Sequence, residues 1–145
     1  MRLAVIDPGT VCGLCLFDTD RTVLTAVDLS MDDIDEQLDS WSPIDQVLVE
    51  AWMLYPWMAK KLSFHKMPGP EAIGMVRSWA NRNRHVLHRT PAACRTPYLS
   101  SARKVLPKTA HATDAVALGI YWLRKNRGWV PDLALWDIRW IKKGD

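Results

Sequence analysis

Residues 2–9, Arg2-Leu3-Ala4-Val5-Ile6-Asp7-Pro8-Gly9, decide the reading of the fold. Leu3 to Ile6 is an unbroken apolar run, the mark of a short strand covered on both faces, and Pro8-Gly9 stops it in a turn. Cys12 to Phe17 and Thr22 to Leu29 are two further apolar runs, with the polar turn Asp18 to Asp20 after the first of them. Three strands with links this short pair as an antiparallel meander. Ser30 then stands as a helix N-cap before the acids Asp32 and Asp33, and Ile34, Leu38 and Trp41 supply an inward stripe. Gln46 to Ala51 is a fourth strand, apolar apart from Glu50 and its polar first residue. Trp52 to Pro70 is irregular. Glu71 to Asn83 has helical spacing through Ile73, Val76 and Ala80, and His85 to His88 is a fifth strand. Thr90 to Pro107 holds three prolines, with a helix expected over Leu99 to Leu106. Ala110 to Lys125 is the strongest helix, basic at its end and closed by Gly128. Strand–helix–strand units impose parallel pairing with right-handed crossovers. The expected architecture is α/β, a mixed five-stranded sheet flanked by helices on both faces. Residues 1–128 form the domain, and 129–145 are a partly alternating tail without an assigned role.

The 145 residues suffice for one core without disulfides or a structural metal. With 48% apolar and 24% charged residues, the chain falls outside the disordered class. The longest uncharged apolar run, Ala115 to Leu123, is far too short to cross a bilayer, and no signal-peptide core follows Met1. Three cysteines build no disulfide framework and suit a reducing interior. The expected location is therefore the cytoplasm, with no membrane partner.

Charge is divided sharply along the chain. Residues 1–50 hold eleven acids and two bases, whereas residues 51–145 hold five acids and seventeen bases. Between Lys60 and Lys108 there are eleven Lys or Arg and one acid, Glu71. A basic segment this dense answers a polyanion, although a solvated face accounts for the same composition.

The chemistry lies where acids interrupt apolar elements. Asp7 ends the first strand, Glu50 closes the apolar run of the fourth, and Asp114 sits in the most hydrophobic helix one turn after His111. Ligand sites of α/β sheets gather at the carboxyl ends of strands. Buried carboxylates need compensation, and few bases stand near Asp7 in sequence. A bound divalent cation is the economical solution, because hard oxygen donors suit Mg²⁺ or Mn²⁺. Taken singly, each residue has a plainer reading: Asp7 as a turn aspartate, Glu50 as a cap or lysine partner, Asp114 as a first-turn acid facing the helix dipole.

Ile6-Asp7-Pro8-Gly9-Thr10 followed by Gly13-Leu14 resembles the first motif of the RuvC-type Holliday-junction resolvases, within the RNase H-like superfamily. Val47-Leu48-Val49-Glu50 is similar to their second acidic strand. His111-Ala112-Thr113-Asp114-Ala115-Val116-Ala117-Leu118 resembles their closing helix, and Met58-Ala59-Lys60-Lys61 with Gly74 echoes the stretch after the second acid. The resemblance spans residues 1–125, in a compact form consistent with phage origin, which would place it in the host cytoplasm. It implies sheet order 3-2-1-4-5 and a homodimer that cuts four-way DNA junctions. Asp7, Glu50, His111 and Asp114 would then be the catalytic and metal-site residues for two Mg²⁺ ions, with Mn²⁺ able to substitute. One ion would activate water for in-line attack on phosphorus while the other stabilises the departing 3′ oxygen. Asp7 would bridge both ions, and His111 would ligate or shuttle a proton. At least one of Trp52, Tyr55 and Trp57 is expected to stack on an unpaired base, unless these rings fill the dimer interface. Lys60, Lys61, Arg95, Arg103, Lys104 and Lys108 are the expected phosphate contacts.

Two readings compete with a DNA-cutting enzyme. The pre-16S ribosomal RNA nucleases share the length and the Asp-x-Gly-Thr opening, but their middle motif is not found here. A non-catalytic junction binder would leave the four metal positions without purpose. Actin-like and Hsp70-like nucleotide binding, which shares the same opening, requires two lobes and a far longer chain. Cys12-x-x-Cys15 invites a zinc or redox reading, yet strand positions i and i+3 point to opposite faces, which leaves two small buried hydrophobes.

Overall fold

The computed structural model describes residues 1–51 and 68–143. Its strands are β1 (Arg2–Asp7), β2 (Val11–Asp18), β3 (Val23–Ser30), β4 (Gln46–Ala51), β5 (Leu87–Pro91) and β6 (Asp137–Lys142). The α-helices are α1 (Ile34–Trp41), α2 (Pro68–Arg82), α3 (Leu99–Arg103) and α4 (Ala112–Arg127), with 3₁₀ turns at Met31–Asp33, Ala92–Tyr98 and Leu133–Leu135. The sheet order is β5-β4-β1-β2-β3-β6. β1, β2 and β3 form the antiparallel meander, and β4 and β5 add in parallel on the other side of β1.

Alternation along the central strands divides the core into two layers. Leu3, Val5, Leu48 and Ala26 face one side with Phe17, where α3 and α4 pack through Ala102, Val116, Ile120 and Leu123. Ala4, Ile6, Val49 and Val27 face the other, against Ile34, Leu38 and Trp41 of α1 and Val76, Trp79 and Ala80 of α2. Cys12 lies in the second layer and Cys15 in the first, so the two sulfurs diverge. The Ser30 hydroxyl accepts from the Asp32 N–H at 3.4 Å, the cap expected of it. Gly128 closes α4 with a left-handed φ of 75°, a conformation glycine adopts without a Cβ penalty. Among the described residues, no helix is long and apolar enough to cross a membrane.

The expected strand count is one short. Residues 137–142 form β6, parallel to β3 from Val23↔Asp137 to Asp28↔Lys142. Trp136, Ile138 and Trp140 pack on the α4 layer, and Trp136 meets Phe17 edge-on with ring centroids 6.1 Å apart. The charged residues between these rings point away, which is how an edge strand discourages further pairing and why its alternation reads weakly. The fifth strand also starts later than expected. His85 is drawn onto Trp79, stacked at 5.4 Å, and its N–H closes the end of α2 on the Ala80 carbonyl.

Candidate functional site

The register of the sheet fixes which acids can meet. Asp7 pairs with Gly13, Gly13 pairs with Asp28, and Ile6 lies beside Val49. Alternation therefore turns Asp7, Asp28 and Glu50 toward the face covered by α4. The helix approaches so closely that a Cβ on Gly13 would run into the His111 carbonyl and the Ala112 nitrogen. Glycine at 13 is thus what lets α4 begin directly over β2.

Asp28 holds the helix there. Its carboxylate, 2% exposed, accepts the His111 N–H at 2.8 Å through Oδ2 and the Ala112 N–H at 2.8 Å through Oδ1. Two otherwise orphaned donors of the helix N-terminus are satisfied, and the negative charge sits at the positive end of the helix dipole. The first turn then directs Asp114 back toward the end of β1.

Three carboxylates consequently share the carboxyl end of the β1–β4 pair. Asp7 is pushed up to about 9, chiefly by burial, then by hydrogen bonding and charge repulsion from Glu50 and by the charge of Asp114. Arg95 opposes this. It lies on the Ala92–Tyr98 turn that follows β5, with Nη1 2.6 Å from Glu50 Oε2 and Nε 3.8 Å from Asp114 Oδ1. Thr90, paired with Glu50 and 6% exposed, completes that wall.

Of the four residues expected to form the site, Asp7 interacts electrostatically with both Glu50 and Asp114. His111 is exposed, and the structure anchors it through its backbone N–H. Among the described residues, no group of three or more acidic, histidine or cysteine side chains is gathered tightly enough to hold an ion as it stands. The sequence offers few cations near these acids, and the structure brings one from afar: Arg95, assigned from sequence to phosphate, reaches Glu50 from 45 positions away. Arg103 and Lys108 line a cleft of about 470 Å³ that adjoins Asp114, whereas Lys104 is exposed on the same segment outside its lining. Trp52, Tyr55, Trp57, Lys60 and Lys61 lie outside the described residues. The Cys12 thiol donates to the Gly9 carbonyl at 3.1 Å and is pushed up to about 11 by burial, while complete burial also raises Cys15. Such thiols are inert packing groups.

This sheet and its site geometry can be set against known proteins. A solved structure of T. thermophilus RuvC in complex with a Holliday junction substrate superposes with a TM-score of 0.56 at 20% identity, over 87% of this chain and 97% of that one. The fold is RuvC-like. A second T. thermophilus RuvC structure matches with a TM-score of 0.56 and 19% identity, covering 86% of this chain and 96% of that chain. No protein-family model and no curated protein matches the sequence. Within the RuvC-like frame, sequence reasoning missed Asp28 and the site role of Arg95. Asp28 had a signal of the same kind as Asp7, an acid between apolar strand residues Val27 and Leu29. Arg95 had none, because only the turn after β5 brings it to Glu50.

Proposed function

We propose that this chain is a metal-dependent, structure-specific endodeoxyribonuclease that hydrolyses phosphodiester bonds in branched DNA, with four-way junctions as its main substrate. One observation carries the reading: three carboxylates converge at the carboxyl end of β1 with, among the described residues, a single guanidinium to balance them, on a RuvC-like frame. The solved relative bound to a Holliday junction supports DNA of that shape as the substrate.

The donor set fits a hard divalent cation. All three groups are carboxylate oxygens, and added positive charge would offset both the burial that chiefly raises Asp7 to about 9 and the repulsion from Glu50 and Asp114 that adds to it. Asp7, Glu50 and Asp114 would hold Mg²⁺ or Mn²⁺, with His111 one turn away as a further ligand or proton carrier. Bound there, the ion supplies Lewis acidity at the phosphoryl group and lowers the pKa of water. The protein contributes the rest. Asp28 and Gly13 fix the helix that carries Asp114, and Arg103 and Lys108 offer charge for the phosphate backbone beside it. Incision of two opposed strands needs two such sites, so the reading includes a homodimer.

The test is cleavage of synthetic four-way junctions, flaps, forks and linear duplex with Mg²⁺ or Mn²⁺, alongside a structured RNA. Magnesium-dependent cutting of the junction, absent in Asp7→Asn despite retained binding, is the expected result. Junction binding without cutting by the wild-type protein, or cutting confined to the RNA, would overturn it.

A further inference from the structure

The contact between Arg95 and the acids is more than local charge balance, because of what each partner is able to do. Glu50 is mostly buried, its side chain 16% exposed, while Asp114 is 36% and Arg95 28% exposed. Arg95 is therefore more open than Glu50, and Asp114 is the most open of the three. Arg95 rides on a 3₁₀ turn between β5 and α3, flanked by exposed Thr96 and Pro97, so the guanidinium can leave by rotation of its own side chain. A guanidinium does not deprotonate in proteins, so pH does not release it. Another cation competing for the same oxygens can.

Its grip is strong on one side and loose on the other. The 2.6 Å contact with Glu50 is a short charge-assisted hydrogen bond, whereas the 3.8 Å approach to Asp114 is an ion pair without one. Both contacts are ion pairs of one side chain, so Arg95 bridges two of the three site carboxylates.

We propose that Arg95 is a resident counter-cation that competes with a divalent ion for Glu50 and Asp114, holding the carboxylates together until the ion displaces it. The proposal rests on the metal-site reading above and adds a regulatory contact to it. A metal ion then binds only the fraction of molecules in which the guanidinium has swung away. If that fraction is ~10%, apparent affinity is reduced about tenfold relative to a chain without the arginine.

The experiment compares the full-length wild type with Arg95→Gln and Arg95→Lys by Mn²⁺ calorimetry and by thermal melting in EDTA and in Mn²⁺. Arg95→Gln is expected to melt lower than wild type in EDTA, to bind Mn²⁺ about tenfold more tightly, and to gain more Tm from Mn²⁺. Arg95→Lys, which keeps the charge and loses the fork, falls between them and serves if the glutamine variant does not fold. Equal or weaker Mn²⁺ binding by both variants, with the wild type binding measurably, overturns the competition and leaves the metal site standing. No Mn²⁺ binding by any of the three overturns both. Binding by Arg95→Gln but not by wild type is the strongest support.

Discussion

The two ends of β1 carry charge in opposite ways. At the amino end, Arg2 is fully matched: Nη1 donates to Asp18 at 2.9 Å, Nε to the Pro43 carbonyl at 2.8 Å and Nη2 to the Trp41 carbonyl at 2.7 Å. Its backbone N–H donates to Asp45 at 2.7 Å. At the carboxyl end, five positions on, three acids face one guanidinium among the described residues, and Asp7 is held up at about 9. One end is a finished structural clasp that ties β1 to the α1–β4 connection. The other, among the described residues, is short of positive charge. A strand that can build the first arrangement has no folding need for the second, and that contrast is the reason to place the chemistry at the carboxyl end.

The largest expected effect lies there. Asp7→Asn should lower junction cleavage by more than about 100-fold, beyond what disturbing a supporting residue of a metal site costs. The same variant separates the ends thermodynamically. Asp7 ordinarily titrates near 3.8 and is raised to about 9 in the folded protein, so the folded state holds a proton that the unfolded state has lost. Stability of the metal-free protein should therefore fall as pH rises from about 4 toward 9, with a limiting slope of about 1.4 kcal/mol per pH unit. Denaturant melts across that range should find the slope in the wild type and a flatter profile in Asp7→Asn. An unchanged profile would mean that Asp7 is not under charge stress.

Asp28 tests whether burial alone makes an acid reactive. It lies on the same sheet face as Asp7 and is 2% exposed, yet two backbone N–H groups satisfy it. Asp28→Ala leaves both donors without a partner and should cost about 3 kcal/mol, seen as a lower urea midpoint. Asp28→Asn keeps one acceptor and should recover roughly half of that loss. Cleavage that falls in Asp28→Asn with little loss of stability would show that the cap also aims Asp114.

What was legible in the chain follows from sequence distance. The five strands could be read from local apolar runs, their order entered with the family resemblance, and Asp7, Glu50 and Asp114 stood out because each acid breaks an apolar element, a signal that needs no partner. Ser30, Gly128 and the divergence of Cys12 and Cys15 were legible for the same reason: caps and strand parity are local. β6 escaped because an exposed edge strand mixes charges into its pattern, and its pairing with β3 spans more than a hundred residues. Arg95 escaped because its role depends on where β5 ends and how the 3₁₀ turn folds over β4, which are tertiary facts. The start of β5 moved by two residues for a tertiary reason too, the stacking of His85 on Trp79.

At the amino end, effects should be confined to stability. Arg2→Ala removes three side-chain hydrogen bonds and takes the ion-pair partner from Asp18, which is 7% exposed and keeps the Arg21 N–H at 3.2 Å; about 2–3 kcal/mol should be lost. Mn²⁺ affinity and cleavage by the folded fraction should be unchanged, the reverse of the pattern expected for Arg95→Gln. The smallest effect belongs to Asp45→Ala. Its carboxylate accepts one exposed backbone N–H from Arg2 at 2.7 Å, while the Asp45 N–H bond to the Arg2 carbonyl at 2.8 Å survives the substitution. Water can replace the lost acceptor, so the cost should be about 1 kcal/mol or less. A larger loss in urea melts would mean that the clasp acts as one cooperative unit. In that case the Arg2→Ala and Asp45→Ala losses should fail to add in the double variant, whereas Asp45→Ala and Asp7→Asn, at opposite ends of the strand, should still add.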